Sequence, residues 1–342
     1  MKAAVLHGPL DMRIEDVTPP ALGDDDVLVD VKAVGICGSD VHYYREGRIG
    51  EFVVEKPLIL GHETGGIVSA VGKNVKTVRV GDRVAVEPGI PCRACEWCKT
   101  GRYNLCPDVR FHATPPVDGT LCEQIVMPAD FVTPVPDHVS FEEAAMFEPL
   151  SVAIHACRRG GVGPGKSVLV AGAGPIGLVS LMVALAFGAT RVFVTDLHPH
   201  RRRLALELGA EAAFPGDGDV AAAVMEHTQG RGVDVAIECA GAEAALSSCL
   251  MSCARGGQVV VVGLSAQDFY KVPLNHLAQK ELDIKGIFRY VYTYPAALDL
   301  VASGRVDVAK IITHRFPFDQ VETGFEYAET GKDGAVKVII NL

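Results

Sequence analysis

The chain has 342 residues, a formal net charge of −10, 49% hydrophobic and 22% charged residues. That is length enough for two domains with large buried cores, and an acidic balance without a basic stripe excludes nucleic acid and anionic membrane surfaces as partners. No charged segment leading into a long apolar core stands at the start, and the run Gly177 to Phe187 is too short to span a bilayer, so a cytoplasmic location is expected.

The first third is rich in Val, Gly and Pro. Strand-like runs at Val27 to Val34, Ile67 to Val71 and Arg83 to Val86 are separated by turns such as Gly72-Lys73-Asn74 and Gly81-Asp82. This predicts an all-β, barrel-like unit with long loops. From about Pro149 the pattern changes. Strands are predicted at Ser167 to Ala171, Arg191 to Thr195, Ala212 to Phe214, Val233 to Glu238, Gln258 to Val262 and Leu282 to Ile287. Helices fall between them at Pro175 to Phe187, His198 to Leu208 and Glu243 to Cys253. Alternating strand and helix implies an α/β unit with a parallel sheet wound on both faces. After Tyr290 the alternation is expected to stop, and a strand-like tail, Ala335 to Ile340, to return to the first domain. The division is therefore 1–150 with 288–342, and 151–287.

Gly172-Ala173-Gly174-Pro175-Ile176-Gly177 follows a strand and opens a helix, the setting in which G-x-G-x-x-G cradles a pyrophosphate. Asp196 ends the next strand, where a carboxylate suits the two ribose hydroxyls of NAD and repels the 2′-phosphate of NADP. Arg201, Arg202 and Arg203 follow closely and would weaken that preference.

Ten cysteines in a chain of this size point to metal ligation or burial rather than disulfides. Cys92, Cys95, Cys98 and Cys106 follow C-x2-C-x2-C-x7-C in a loop with little apolar material. Four thiolates close a tetrahedron round one Zn2+ and staple the loop without leaving a coordination vacancy. Cys37, in Gly-Ile-Cys-Gly-Ser-Asp-Val-His, and His62 with Glu63, in Gly-His-Glu-Thr-Gly-Gly, form a different set. A thiolate, an imidazole and a carboxylate hold Zn2+ with a fourth position open, and an open zinc polarises a hydroxyl. Ser39 and His42 are placed to relay its proton to solvent.

Together these motifs resemble the zinc-containing medium-chain dehydrogenase/reductase superfamily over essentially the whole chain. Within it they are most similar to the sorbitol (polyol, xylitol) dehydrogenases. The similarity is carried by Cys37 to Tyr43, Gly47 to Gly50, Phe111 with Ala113 to Pro116, Glu148 to Val152, His155 to Gly160, Gly286 to Tyr290 and Thr313 to Pro317. The resemblance implies a GroES-like β-barrel catalytic domain interrupted by a Rossmann domain, with the active-site cleft between them. It implies oxidation of a polyol to the ketose by hydride transfer to NAD, two zinc ions per chain and a homotetramer. Cys37, His62 and Glu63 would be the catalytic zinc ligands, with Glu148 holding the water or the substrate. Tyr43, Phe111, Thr114, Glu148, Arg289 and Tyr290 would line the polyol site. Ile176, Asp196, Arg201, Val262, Gly263, Leu264, Ile287, Phe288 and Arg289 would contact NAD.

A polyol site needs several polar partners, and Tyr, Glu, Arg and Tyr supply them; a hydrophobic alcohol would leave them unpaired, at roughly 1–3 kcal/mol each. One departure is the complete four-cysteine loop, which animal sorbitol dehydrogenases lack. Two rivals follow: a sibling acting on threonine, butanediol or a simple alcohol, and a zinc-free reductase or crystallin-like nucleotide-binding protein. The second rival lacks both cysteine sets.

Overall fold

A continuous apolar run makes Ser167–Ala171 a strand buried on both faces, and it lies at the middle of a six-stranded parallel sheet. The computed structural model describes residues 1–265, 267 and 269–342, and it contains two units, Met1–Glu148 with Tyr294–Leu342, and Pro149–Thr293.

In the second unit the strands lie in the order Ala212–Pro215, Arg191–Asp196, Ser167–Ala171, Val233–Glu238, Cys253–Val261, Asp283–Gly286, all parallel. The chain starts centrally, moves outward one way, then crosses back and moves outward the other way. This is the doubly wound Rossmann arrangement, with its switch point between the neighbouring strands Ser167–Ala171 and Val233–Glu238. Leu169, Phe193, Ala236, Leu250 and Val259, each fully buried, form part of one core layer.

In the first unit the strand Asp26–Gly35 alternates buried and half-buried residues, as a strand with one face on a core should. It pairs with Glu63–Val71, Gln124–Pro128 and, through its last residues, the C-terminal strand Lys337–Asn341. Arg83–Val86 and Val132–Pro134 extend this mixed sheet on one side, and Ile312–Pro317 on the other. The fold is the expected GroES-like β unit with an inserted Rossmann unit.

The tail differs from the sequence expectation. Strand and helix continue past Tyr290: helix Tyr294–Ala302, strand Ile312–Pro317, helix Val321–Thr330 and strand Lys337–Asn341, the last two strands being parallel. The short strand Ile312–Pro317 carries no apolar run by which to read it, because Thr313, His314 and Arg315 interrupt it. The helix Phe147–Gly160 was also missed, since Pro149 falls in its first turn, where proline is tolerated but reads as a breaker. No helix among the described residues is long and apolar enough to cross a membrane.

Candidate active site and metal centres

Cys37 is the N-cap of the helix Gly38–Glu46, just beyond the strand Asp26–Gly35. Asp40, three residues on, returns its Oδ2 to the Cys37 amide at 3.0 Å. Its Oδ1 accepts from the Gly61 amide at 3.0 Å and lies 3.4 Å from His62 Nδ1. One buried carboxylate thus ties the two segments that carry Cys37 and His62 together and fixes the imidazole. An imidazole held through Nδ1 offers its other nitrogen to a metal. The Cys37 thiol, a His62 ring nitrogen and a Glu63 carboxylate oxygen lie within 4.8 Å of one another. His62 and Glu63 are buried and Cys37 is half-buried. That donor set fits a zinc ion with a position left open.

Electrostatics hold the set in place. Burial alone would push the Asp40 carboxyl up, but the His62 charge and the Cys37 and Gly61 amides outweigh it and hold it below the usual range. Burial alone would push His62 down, yet Asp40, with a smaller push from Cys37, holds it well above its ordinary value. Glu63 is not isolated either: its Oε2 pairs with the Lys337 ammonium, both side chains being 1% exposed.

The Phe111 ring stands 5.7 Å from the His62 ring, centroid to centroid. Ser39 and His42 are half-buried and one turn apart on the helix Gly38–Glu46. Tyr43 and Glu148 are buried in the same unit, Glu148 in the first turn of Phe147–Gly160. Thr114 closes a turn with its amide on the Phe111 carbonyl at 3.0 Å. Arg289 and Tyr290 belong to the other unit, where the Arg289 guanidinium lies 4.7 Å over the Phe288 ring.

The second cysteine set also converges. Cys92, Cys95, Cys98 and Cys106 place their sulfurs within 4.8 Å of one another. Cys92 to Cys98 is 3.9 Å and Cys95 to Cys98 is 3.4 Å. Bonds of about 2.3 Å to a tetrahedral zinc require sulfurs about 3.8 Å apart, so the cage fits. The Cys95 amide donates to Cys92 Sγ and the Cys92 amide to Cys106 Sγ, each at 3.3 Å. Arg93, in the left-handed region with φ 64°, makes the tight turn between Cys92 and Cys95. The Ala94 and Cys95 amides pull Cys92 down to about 7, while burial and the neighbouring thiols push Cys98 up to about 12. Four sulfurs this close would all be thiolates only with a cation among them to offset their charge.

In the Rossmann unit Gly177 has no alternative, because a Cβ there would stand 1.7 Å from the Gly172 carbonyl oxygen. Gly172 itself has φ 98°. Gly174 is the N-cap of the helix Pro175–Ala186, with Pro175 and Ile176 in its first turn. Asp196 Oδ2 accepts from the Ala173 amide and Oδ1 from the His198 amide, each at 2.7 Å. Arg201 lies 4.0 Å from the same carboxylate. A cavity of about 310 Å³ is lined by Gly172, Gly174, Asp196, His198, Arg201 and Cys239, among others. It lies at the carboxyl ends of the strands beside the switch point, where dinucleotides bind. Val262, Gly263 and Leu264 follow the next strand, and Ile287 to Arg289 the edge strand. They occupy the same end of the sheet but do not line that cavity.

Two residues escaped the sequence reading. Asp40 left a faint local signal, an acid three residues after a capping cysteine. Lys337 left none, because a lysine in a short C-terminal strand ordinarily reads as exposed.

With this geometry established, similarity to known proteins is decisive. Residues 23–137 match the alcohol dehydrogenase GroES-like domain, and residues 175–303 match the zinc-binding dehydrogenase domain. The chain is 49% identical to a sorbitol dehydrogenase of Bacillus subtilis, over 99% of this chain and 97% of that one. The chain belongs to the zinc-binding medium-chain dehydrogenase family. This zinc-binding dehydrogenase is also 46% identical to L-idonate 5-dehydrogenase of Vitis vinifera, over 99% and 94% of the two chains. Among solved structures it superposes on a putative zinc-binding dehydrogenase from Sinorhizobium meliloti bound to NADP. There the TM-score is 0.92 and the identity 31%, over 100% and 99% of the chains. The match disposes of the zinc-free reductase reading, since both cysteine sets are present and each is assembled.

Proposed function

We propose that the enzyme oxidises a secondary hydroxyl of a polyol, sorbitol, xylitol or a close relative, to the ketose, with NAD taking the hydride. The observation that carries this reading is the assembled Cys37, His62 and Glu63 set with Asp40 behind it. Zinc bound there supplies a Lewis acid that eases ionisation of the substrate hydroxyl, and nicotinamide supplies the hydride acceptor. The chain's own residues do the rest. Asp40 orients His62. Ser39 and His42, on one helix face, pass the hydroxyl proton towards solvent. Glu148, Tyr43, Thr114, Arg289 and Tyr290 supply partners for the remaining hydroxyls, and Phe111 packs beside His62. Such a constellation rewards a substrate with several hydroxyls and penalises one that leaves them unmet.

Gly172, Gly174, Pro175, Ile176 and Gly177 present the helix start to the pyrophosphate, and Asp196 receives the adenosine ribose. A 2′-phosphate would bring its charge onto the Asp196 carboxylate, so we assign NAD over NADP, with Arg201 as the group that softens the preference. Val262, Gly263, Leu264, Ile287, Phe288 and Arg289 are assigned to the nicotinamide half. The reading includes a second zinc at Cys92, Cys95, Cys98 and Cys106 that holds shape, a homotetramer, and a cytoplasmic location.

Steady-state kinetics with sorbitol, xylitol, ribitol, 2,3-butanediol, threonine and ethanol, each with NAD and NADP, test the substrate assignment. Turnover of the polyols with NAD is expected. Inert polyols beside active threonine or ethanol would overturn it. Metal analysis is expected to give about two zinc per chain, and light scattering a tetramer.

A further inference from the structure

The strand Asp26–Gly35 lies between Glu63–Val71 and Lys337–Asn341. Gly35 is in register with Glu63 on one side and Ile339 on the other. Its missing side chain is used. A Cβ on Gly35 would stand 1.9 Å from Glu63 Oε2 and 3.0 Å from Lys337 Cε. The two long side chains therefore meet over bare backbone. The Lys337 ammonium pairs with Glu63 Oε2 and donates to the Ile36 carbonyl at 2.9 Å. Ile36 is the residue before Cys37, so one ammonium reaches both segments that bear candidate ligands.

A fully buried ion pair is poor evidence for stability by itself, because apolar side chains of the same volume fill such a space without desolvating two charges. Something else must account for a lysine here. Glu63 has two oxygens and two neighbours that want them: the metal site and Lys337.

We propose that Lys337 is a positioning residue for the catalytic metal. It takes Glu63 Oε2, so the carboxylate presents its second oxygen to the metal in one fixed orientation. It also offsets the Glu63 charge, which leaves a dication in the site with only the Cys37 thiolate uncompensated and hence more electron-withdrawing. Gly35 is part of the device, since any side chain there displaces the pair. The inference rests on Cys37, His62 and Glu63 being the metal ligands.

The test is metal retention, read apart from turnover. The wild type, K337M, K337R, G35A, the double variant K337M/E63Q and, as reference, C37S are dialysed against dipicolinate, and zinc per chain is followed with time. K337M and G35A are expected to lose metal about 10- to 100-fold faster than the wild type, falling to the content of C37S and stopping there. Their cobalt-substituted forms are expected to show shifted visible bands, because the carboxylate is misplaced. K337R, which keeps the charge, is expected to recover part of the retention. G35A removes no charge and meets only side-chain ends, so it is expected to fold. K337M/E63Q removes both charges at once and with them the Glu63 ligand, so its release rate marks full loss of that ligand; K337M and G35A are expected to fall between the wild type and this limit. K337M and G35A with wild-type release rates and cobalt spectra would overturn the role of Lys337. A wild type with no more zinc than C37S would instead defeat the metal-site reading itself.

Discussion

At the scale of single residues, the Cys37, His62 and Glu63 set is held by buried charged groups outside it. Asp40 is the clearest. It accepts from two backbone amides, one on each oxygen, and holds His62, so D40N keeps the size but loses the charge that orients the imidazole and sets an NH2 against one of those amides. Loss of such a partner typically costs 10- to 100-fold in metal affinity or activity. D40N is therefore expected to bind zinc more weakly by about that factor, with an unchanged far-ultraviolet dichroism spectrum; zinc titration of the apo-protein measures it.

Glu87 offers a second case. It is 8% exposed, accepts a 2.5 Å hydrogen bond from the Tyr103 hydroxyl, and is raised to about 7 by burial, against that hydrogen bond and helped by the Glu148 and Asp130 charges. A carboxyl raised in the folded state binds a proton there that the unfolded state has released. Stability is thus fully present below the unfolded value of about 4.5 and falls as pH rises through about 7, by about 3 kcal/mol in all. E87Q, which stays neutral, is expected to abolish that slope: thermal melts of the two proteins should diverge between pH 5 and pH 7.5, with the variant the steadier, on the ~4.5–7 titration window.

At the scale of elements, the two cysteine sets do different work. The loop around Cys92, Cys95, Cys98 and Cys106 contains only a four-residue helix, Glu96–Lys99, and a three-residue turn of 3-10 helix, Tyr103–Leu105. Neither buries enough to stand alone, so the cage supplies the order. C95S is expected to lower the melting temperature and expose this loop to protease, whereas C37S is expected to lose activity with the melting curve nearly unchanged. Limited proteolysis with calorimetry checks both.

The same contrast explains what could be read from the sequence. The four-cysteine spacing is local, and so is the glycine motif between Ala171 and Leu178; each declares its geometry within about a dozen residues. The strand Ser167–Ala171 was legible to the residue because burial on both faces writes a continuous apolar run, and Val233–Glu238 because only Asp234 interrupts its apolar residues before the closing Glu238. The last strand, Lys337–Asn341, was legible as a strand-like tail, but its parallel partner Ile312–Pro317 and the helix Val321–Thr330 between them were not, because that pairing is set by residues far apart in the chain. Asp40 and Lys337 share that reason. Their roles exist only once separated segments meet.

At the scale of the whole molecule, the Rossmann unit is inserted between two stretches of chain that build one sheet. The last strand is not peripheral: Lys337, Val338, Ile339 and Ile340 are all buried. Truncation after Gly334 removes the Lys337–Asn341 strand and leaves the end of Asp26–Gly35, beside Cys37, without that pairing. The shortened chain is expected to lose the metal of Cys37, His62 and Glu63, and to expose apolar surface to a hydrophobic dye; retention of both zinc ions and no dye binding would count against that dependence.

The ammonium that meets the Ile36 carbonyl comes from 301 residues further along the chain. At a ribosomal pace of roughly 5–20 residues per second, that is an interval of about 15–60 s. During synthesis Cys37, His62 and Glu63 emerge early, and Glu63 then carries a charge whose partner has not yet been translated. Completion of the centre therefore waits on a strand made long after its first residues, and a chain that terminates before Lys337 leaves it unfinished.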